Sequence, residues 1–457
     1  MRVYFLGIGG IGMSAIARYL NTRGDEVMGY DRTSSELTHL LEKEGIKINY
    51  EDVKENVPDN IDLVIYTPAI PEDSIQLNEI KARKYPLEKR SVALGHITKD
   101  KRVLAVAGTH GKTTTSGMIA HILSNSPVGC LAFLGGILKS INSNFIYHKD
   151  SPYAVVEADE YDRSFLQLNP YVSVITAIAE DHMDIYHTYA NLHSAFEQYA
   201  LQTEKDGLLL VRNDGQQLIK DLKDLTPMQT YSLDDFEADN YMCNLRVSKG
   251  TYYFDYFTSE GIWYDMHLTY PCRHNVENAI AAVSVCNFVF KQQGINKKER
   301  EHIIRQGLES FGGMRRRLDY RIHTNERVFI DDYAHHPQEI ATTIKSLREI
   351  YPDQHFTGIF QPHLYTRTRD LADDFARALE LLDTVILLPI YPAREEPIVG
   401  VDSHLLLHKI NMMDKYLVSK GQLMELLEAL NPEFLITFGA GDIDRLVPKI
   451  ENLLNNN

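Results

Sequence analysis

Two glycine-rich loops and two acidic strand ends concentrate the chemistry of this 457-residue chain. Gly108-Thr109-His110-Gly111-Lys112-Thr113-Thr114-Thr115 directly follows the apolar run 103–107. In a P-loop, backbone N–H groups and a lysine hold nucleotide phosphates, and the first threonine hydroxyl reaches Mg2+. Val106 stands where the strict loop pattern has its first glycine, so the likeness rests on GTHGKTTT and its position after a strand. Gly7-Ile8-Gly9-Gly10-Ile11-Gly12 also follows a strand and opens a helix, with Asp31 closing the next strand. That is the G-x-G-x-x-G pattern, in which small residues let backbone N–H groups approach a diphosphate at a helix N-terminus. By itself it suits a dinucleotide oxidoreductase, and a tight strand–helix turn is the bland reading.

Glu157-Ala158-Asp159-Glu160-Tyr161-Asp162 ends another apolar run. Charge runs of this kind are usually solvated turns. A phosphoryl-transfer site, however, needs a carboxylate at a strand end to hold Mg2+, and Glu157 is the last residue of the run. Glu180-Asp181-His182-Met183-Asp184 ends the next strand. A lone histidine is more often structural than a ligand, but His182 is expected on a strand beside the one that carries Glu157.

The elements that position these residues follow from the pattern of apolar runs. Short runs alternate with helical periodicity along the whole chain, which predicts parallel sheets with crossover helices. Strands are expected at 3–6, 63–66, 103–107, 154–157, 172–178, 208–211, 328–330, 356–360, 384–388 and 434–438. Each loop above lies beyond a strand's carboxyl end, where open α/β sheets bind ligands. The two glycine loops mark two nucleotide-type sheets, and a third set of strands begins after Phe311-Gly312-Gly313. The expected organisation is α/β with three domains: a Rossmann-like sheet at 1–98, a P-loop ATPase-like sheet at 99–313 and a second Rossmann-like domain at 314–457. Residues 241–270, rich in Tyr, Phe and Thr, are expected as antiparallel strands.

Composition narrows the function classes. Hydrophobic residues make up 44% and charged residues 24%, as in ordinary soluble enzymes. The net charge of −16 argues against a nucleic-acid surface. No apolar run approaches the ~20 residues that span a bilayer. Cys130, Cys243, Cys272 and Cys286 are scattered without a CxxC pair, which suggests neither a disulfide framework nor a zinc site and points to a reducing, cytoplasmic compartment. Nothing in the pattern separates a monomer from a homodimer.

GTHGKTTT, EADEYDRSFL and DHMDIY, in that order, resemble the Mur ligase family. Further motifs are most similar to its alanine-adding members: FLGIGGIGMSAIARYL at the start, then Arg273-His274-Asn275-Val276-Glu277-Asn278-Ala279 and Gly313-Met314-Arg315-Arg316-Arg317. These are followed by Asp331-Asp332-Tyr333-Ala334-His335-His336-Pro337, by Gln361-Pro362-His363-Leu364-Tyr365-Thr366-Arg367-Thr368, by Pro392-Ala393-Arg394-Glu395-Glu396-Pro397 and by Gly439-Ala440-Gly441-Asp442. The resemblance implies ATP- and Mg2+-dependent ligation of L-alanine to the lactyl carboxylate of UDP-N-acetylmuramate through an acyl phosphate. It makes Gly108, Thr109, His110, Gly111, Lys112, Thr113 and Thr114 the ATP phosphate loop, and Thr113, Glu157 and His182 the Mg2+ ligands. It places Asn278, Arg316, Asp331 and Tyr333 near ATP, and His335 and Arg367 near the amino acid. His336 becomes a candidate to assist loss of the amine proton. Gly9, Gly10, Ile11, Gly12 and Asp31 would hold the UDP diphosphate rather than NAD, and the third domain would act as a lid.

Three positions depart from the family pattern. Cys272 replaces the glycine before Arg273, Asn49-Tyr50-Glu51 replaces a Gly-His pair, and Glu197 stands where other members carry a carbamylated lysine; carbamylation is not expected here. Two rival readings rest on the same motifs. A ligase attaching a preformed tripeptide to the same sugar shares both glycine loops, but EADEYDRSFLQLNP is closer to the alanine-adding pattern. A nicotinamide-dependent oxidoreductase accounts for GIGGIG and leaves the second loop and both acidic strand ends unexplained.

Overall fold

Alternating apolar runs build three sheets whose carboxyl edges carry the loops. A computed structural model describes residues 1–179, 183–222, 227–248, 250–270, 272–393 and 395–456. The first sheet contains β1 (Arg2–Leu6), β2 (Glu26–Tyr30), β3 (Lys47–Asn49), β4 (Leu63–Tyr66) and β5 (Leu87–Lys89), in the order β3-β2-β1-β4-β5, all parallel. Strand order reverses between β2 and β4 around β1, so the first glycine loop sits at the topological switch point.

The second sheet has ten strands in the order β15-β14-β13-β12-β11-β10-β6-β9-β7-β8. Its parallel centre is β6 (Arg102–Ala107), flanked by β9 (Tyr153–Glu157) and β10 (Pro170–Ile175), with β11 (Leu208–Arg212) and β12 (Met228–Ser232) beyond. At the other side β7 (Leu131–Leu138) and β8 (Ser143–Tyr147) form an antiparallel hairpin. β13 (Asn240–Ser248), β14 (Thr251–Thr258) and β15 (Gly261–Leu268) extend the opposite edge where the Tyr- and Phe-rich stretch was expected. β13 pairs parallel with β12, and the connections from β13 to β14 and from β14 to β15 are of hairpin length, which joins antiparallel neighbours. β10 ends at Ile175, earlier than its apolar run continues, because Thr176 turns its hydroxyl onto the carbonyls of Ala107 (3.1 Å) and His110.

The third sheet runs β16-β17-β21-β18-β19-β20, from β16 (Asp319–His323), β17 (Val328–Asp332), β18 (Phe356–Phe360), β19 (Thr384–Leu387), β20 (Lys415–Leu417) and β21 (Phe434–Phe438). It is parallel except for the edge strand β16. The molecule is thus an α/β protein of three domains.

The chain falls into two compact units. One comprises Met1–Arg246, Tyr253–Thr269 and Asn275–Gly312, and the other Val247–Tyr252, Tyr270–His274 and Gly313–Asn457. Within the first unit the first two sheets share a continuous apolar core that includes Val3, Phe5 and Ile16 from one and Val103, Phe133 and Val156 from the other. The helix Ile11–Arg23 lies on the β7–β8 hairpin, with the Tyr19 ring edge-on to Phe133 (5.8 Å), Phe145 (6.3 Å) and Tyr147 (6.1 Å). Among the described residues, no helix is long and apolar enough to cross a membrane.

Candidate active site

β1 feeds directly into the first glycine loop. Gly7 adopts φ +83°, and a Cβ there would stand 2.6 Å from Thr67 Cγ2, so the turn requires glycine. The N–H groups of Gly7 and Ile8 donate to Tyr30 O at 2.8 and 3.0 Å, and Gly10 N donates to Gly7 O at 3.2 Å. Gly9 N donates to Asp31 Oδ2 at 2.8 Å, while Asp31 Oδ1 accepts from Thr33 N. Gly10 caps the helix with backbone alone, and Ile11 and Gly12 begin it. The structure therefore brings Gly9, Gly10, Ile11, Gly12 and Asp31 together around one helix N-terminus, where first-turn N–H groups favour an anion.

The second loop is braced by the segment just beyond β10. Gly108 and Gly111 have φ +127° and +85°, and the helix Lys112–Ser124 starts at the second of them. Thr109 N donates to Ala177 O (2.8 Å), and the Thr109 hydroxyl accepts from Ala179 N (3.0 Å). Thr113 and Thr114 are buried in the first turn. Thr115 Oγ1 donates to Asn278 Oδ1 at 3.3 Å, and a Cβ on Gly111 would stand 2.5 Å from the same oxygen. Asn278, from the helix Arg273–Gln292, thus packs directly against the phosphate-type loop.

Lys112 turns back over its own loop. Its Nζ donates to Gly108 O (2.5 Å) and to Glu160 Oε1 (2.8 Å). Glu160 is 1% exposed, and its backbone carbonyl accepts from the buried Tyr186 hydroxyl at 2.6 Å. Burial opposes the lysine's charge, yet the carboxylates of Glu160, Asp159 and Glu157 prevail and raise its pKa above the ordinary value. Register pairs Val106 of β6 with Glu157 of β9, which sets that carboxylate on the strand beside the loop. Sequence reasoning chose Glu157 and passed over Glu160. Nothing in the run itself separates Glu160 from the partly exposed Asp159 and Asp162. Asp159 and Asp162 meet cations from the first domain: Arg90 Nη2 at 3.3 Å and Lys89 Nζ at 2.9 Å. His182, expected as a metal ligand, lies with Glu180 and Asp181 outside the described residues. Among the described residues, no group of three His, Cys, Asp or Glu side chains is arranged to hold a metal ion. Thr113 and Glu157 provide hydroxyl and carboxylate oxygens, the hard donors that suit Mg2+.

The second unit gathers the remaining candidates at the carboxyl end of β17. Asp331 accepts from Thr437 Oγ1 (2.7 Å) and pairs with Arg316 Nε (3.4 Å). Arg316 has φ +58°, accepts from Tyr333 N through its carbonyl (2.7 Å) and donates to Gly439 O (2.5 Å). The Arg316 and Arg317 guanidinium carbons lie 5.0 and 4.9 Å from the centre of the Tyr333 ring. Asp332 accepts from Ala334 N (2.9 Å) and Thr343 Oγ1 (3.3 Å), and burial pushes its pKa up to about 6. Glu339 Oε2 accepts from the backbone N–H groups of His335 and His336 (3.0 and 3.2 Å), fixing the start of the helix Pro337–Ile350. The His335 ring bonds Tyr333 O through Nδ1 at 3.1 Å and faces the His363 ring at 6.0 Å. Burial, aided by Arg367 and Arg317 and opposed by Glu339, pushes its pKa down to about 4. Arg316, Asp331 and Tyr333 form one cluster, and His335 and Arg367 another. Arg317 and Glu339 belong to these clusters and were not singled out from sequence.

Three family models match successive parts of the chain. The Mur ligase family, catalytic domain, matches residues 2–102, the Mur ligase middle domain residues 106–286, and the Mur ligase, glutamate ligase domain, residues 316–441. The chain is 45% identical over 458 residues to a UDP-N-acetylmuramate–L-alanine ligase of Parabacteroides distasonis, covering 99% of this chain and 97% of that protein. It resembles the crystal structure of a UDP-N-acetylmuramate–alanine ligase from Thermotoga maritima with a TM-score of 0.84 at 29% identity, over 100% of this chain and 99% of the other. A murein peptide ligase from Psychrobacter arcticus shares the fold, with a TM-score of 0.72 at 19% identity over 100% and 99% of the two chains.

Proposed function

The chain belongs to the Mur ligase family, and we propose from that membership and the site geometry that it joins L-alanine to the lactyl carboxylate of UDP-N-acetylmuramate with cleavage of ATP, in the cytoplasmic synthesis of peptidoglycan precursors. The observation that carries the reading is Lys112, held in its loop among the carboxylates of the Glu157–Asp162 strand end. We assign the domains to 1–98, 99–313 and 314–457.

A carboxylate is a poor electrophile because its leaving group would be oxide. ATP supplies the phosphoryl group that makes the carboxylate an acyl phosphate, and Mg2+ offsets charge on the phosphate oxygens. The chain's own residues overcome repulsion between two anions. Lys112, released from Glu160, brings positive charge to the phosphates, and the N–H groups between Gly108 and Thr114 add fixed dipoles that need no reorganisation. Thr113, Glu157 and His182 are assigned to the metal, and Asn278, Arg316, Asp331 and Tyr333 to the nucleotide. Gly9, Gly10, Ile11 and Gly12 hold the sugar nucleotide's diphosphate with Asp31 bracing the loop. Arg367 and His335 are assigned to the amino acid, whose carboxylate suits a guanidinium.

The test is phosphate release from ATP with UDP-N-acetylmuramate and a panel of amino acids plus the preformed tripeptide. L-alanine is expected to support release. Release with the tripeptide and not with L-alanine would overturn the reading.

A further inference from the structure

Beside the first glycine loop lies a guanidinium that none of the motifs contains. Arg90 opens the helix Arg90–Thr98 directly after β5, on the carboxyl side of the first sheet. Its side chain lies over the first turn of the helix Ile11–Arg23: a Cβ at Gly12 would stand 2.9 Å from Arg90 Nη1 and 3.2 Å from its Cδ. The other arm, Nη2, reaches Asp159 Oδ2 at 3.3 Å, long for a charge-assisted hydrogen bond, with 20% of the arginine side chain and 39% of the aspartate side chain in solvent. The neighbouring pair, Lys89 with Asp162 at 2.9 Å, anchors the segment independently.

The electrostatics of the loop call for such a cation. A helix N-terminus supplies only about half a positive charge. Asp31 places a carboxylate on Gly9 N, in the same loop that must receive an anion. A diphosphate bound there meets the helix dipole together with a fixed negative charge. The guanidinium of Arg90 offsets both anions, and its fork geometry matches phosphate oxygens.

We propose that Arg90 is a ligand of the UDP-sugar diphosphate, leaving Asp159 for phosphate oxygen when the substrate binds. The proposal rests on the reading of the glycine loop as the UDP-sugar site. The exchange is favourable because the part-buried Arg90–Asp159 contact is a single long one at 3.3 Å, whereas a two-pronged contact to phosphate is among the stronger hydrogen-bonded pairs.

The test titrates the full chain, as wild type, Arg90→Ala and Arg90→Lys, with UDP by calorimetry and with uridine by ligand-observed NMR. Arg90→Ala is expected to weaken UDP about tenfold or more, the loss of one charge-assisted hydrogen bond, while uridine stays within about twofold. Arg90→Lys is expected to fall between. UDP affinity of Arg90→Ala within about twofold of wild type, or equal losses for UDP and uridine, overturns the proposal. Wild-type protein that binds neither ligand overturns the UDP-sugar reading itself.

Discussion

Lys112 Nζ lies 2.8 Å from Glu160 Oε1, with 15% of the lysine side chain and 2% of the glutamate side chain exposed. The lysine assigned to ATP phosphates therefore rests on a buried carboxylate, a competitor for any phosphate that approaches it. Removing one partner of a buried pair leaves an uncompensated charge, and Glu160→Gln is expected to lower stability by about 3 kcal/mol. The same change removes the competitor for the lysine. Addition of a non-hydrolysable ATP analogue should then raise Tm more in the variant than in wild type, because binding to the native state adds stability that grows with the logarithm of affinity. Equal rises in a thermal-shift titration would mean that Glu160 does not compete with nucleotide.

Lys112→Ala separates the two proposed anion sites. The first glycine loop extends β1 of one sheet and the second extends β6 of another, and the hydrogen bonds of Lys112 Nζ go to Gly108, Thr109 and Glu160 of the second domain. Turnover is expected to fall to background, and UDP-N-acetylmuramate affinity by calorimetry to stay near wild type. Loss of sugar-nucleotide binding in a variant with native circular dichroism would refute that separation.

The features legible in the sequence are the local ones. The strands 63–66, 356–360 and 434–438 coincide with β4, β18 and β21, because short apolar runs between turns leave one solution. Both glycine loops were legible for the same reason: a strand, a left-handed glycine and a helix start are consecutive in the chain. Glu160, Arg90 and Arg317 were not, since their importance comes from partners distant in the chain: Lys112 for Glu160, Asp159 for Arg90 and the Tyr333 ring for Arg317. The departures are instructive in the same terms. Asn49 stands in a hydrogen-bonded ring beneath the first sheet, donating to the Tyr4 hydroxyl (2.7 Å) and accepting from Gln76 Nε2 (3.0 Å), while Tyr4 donates to Gln76 Oε1 (2.6 Å). Cys272 has φ +82°, the left-handed region that glycine enters freely, so the backbone keeps a glycine conformation with a buried thiol added.

Two buried groups of the second unit titrate in opposite senses. Asp332 is 5% exposed, and burial raises its pKa from 3.8 to about 6. Its folded-state pKa lies above the unfolded value, so its contribution is fully present below about pH 4 and is lost as pH rises through 6. His335 is pushed down from 6.5 to about 4, so its contribution is present above pH 6.5 and is lost as pH falls towards 4. The two partly cancel in wild type, and a variant is needed to see either. Asp332→Asn keeps an oxygen for Ala334 N–H and an amide for Thr343. Relative to wild type it should gain up to about 3 kcal/mol between pH 4 and pH 7. A stability difference that does not change across that window, read from Tm at each pH, would remove Asp332 as the titrating group.

Beside the apolar core shared by the first two domains lies a polar contact at Asn144, which is fully buried in β8. Its Nδ2 donates to Ile11 O (2.5 Å) and Ser14 Oγ (3.0 Å), and its Oδ1 accepts from Arg18, whose guanidinium also pairs with Glu44 at 2.8 Å. The bonded carbonyl belongs to the first turn of the helix assigned to the diphosphate, so the β7–β8 hairpin holds the first glycine loop by its base. Asn144→Ala leaves the Tyr19 aromatic contacts intact but deprives a buried arginine of one partner, at a cost of about 2 kcal/mol. If the bond only stabilises, Tm alone should fall. If it also sets the loop, KM for UDP-N-acetylmuramate should rise several-fold while KM for ATP stays put, because the P-loop is braced separately by Thr109, Thr176 and Asn278. The second outcome is expected, and a lowered Tm with both KM values unchanged would reduce Asn144 to a stabilising contact.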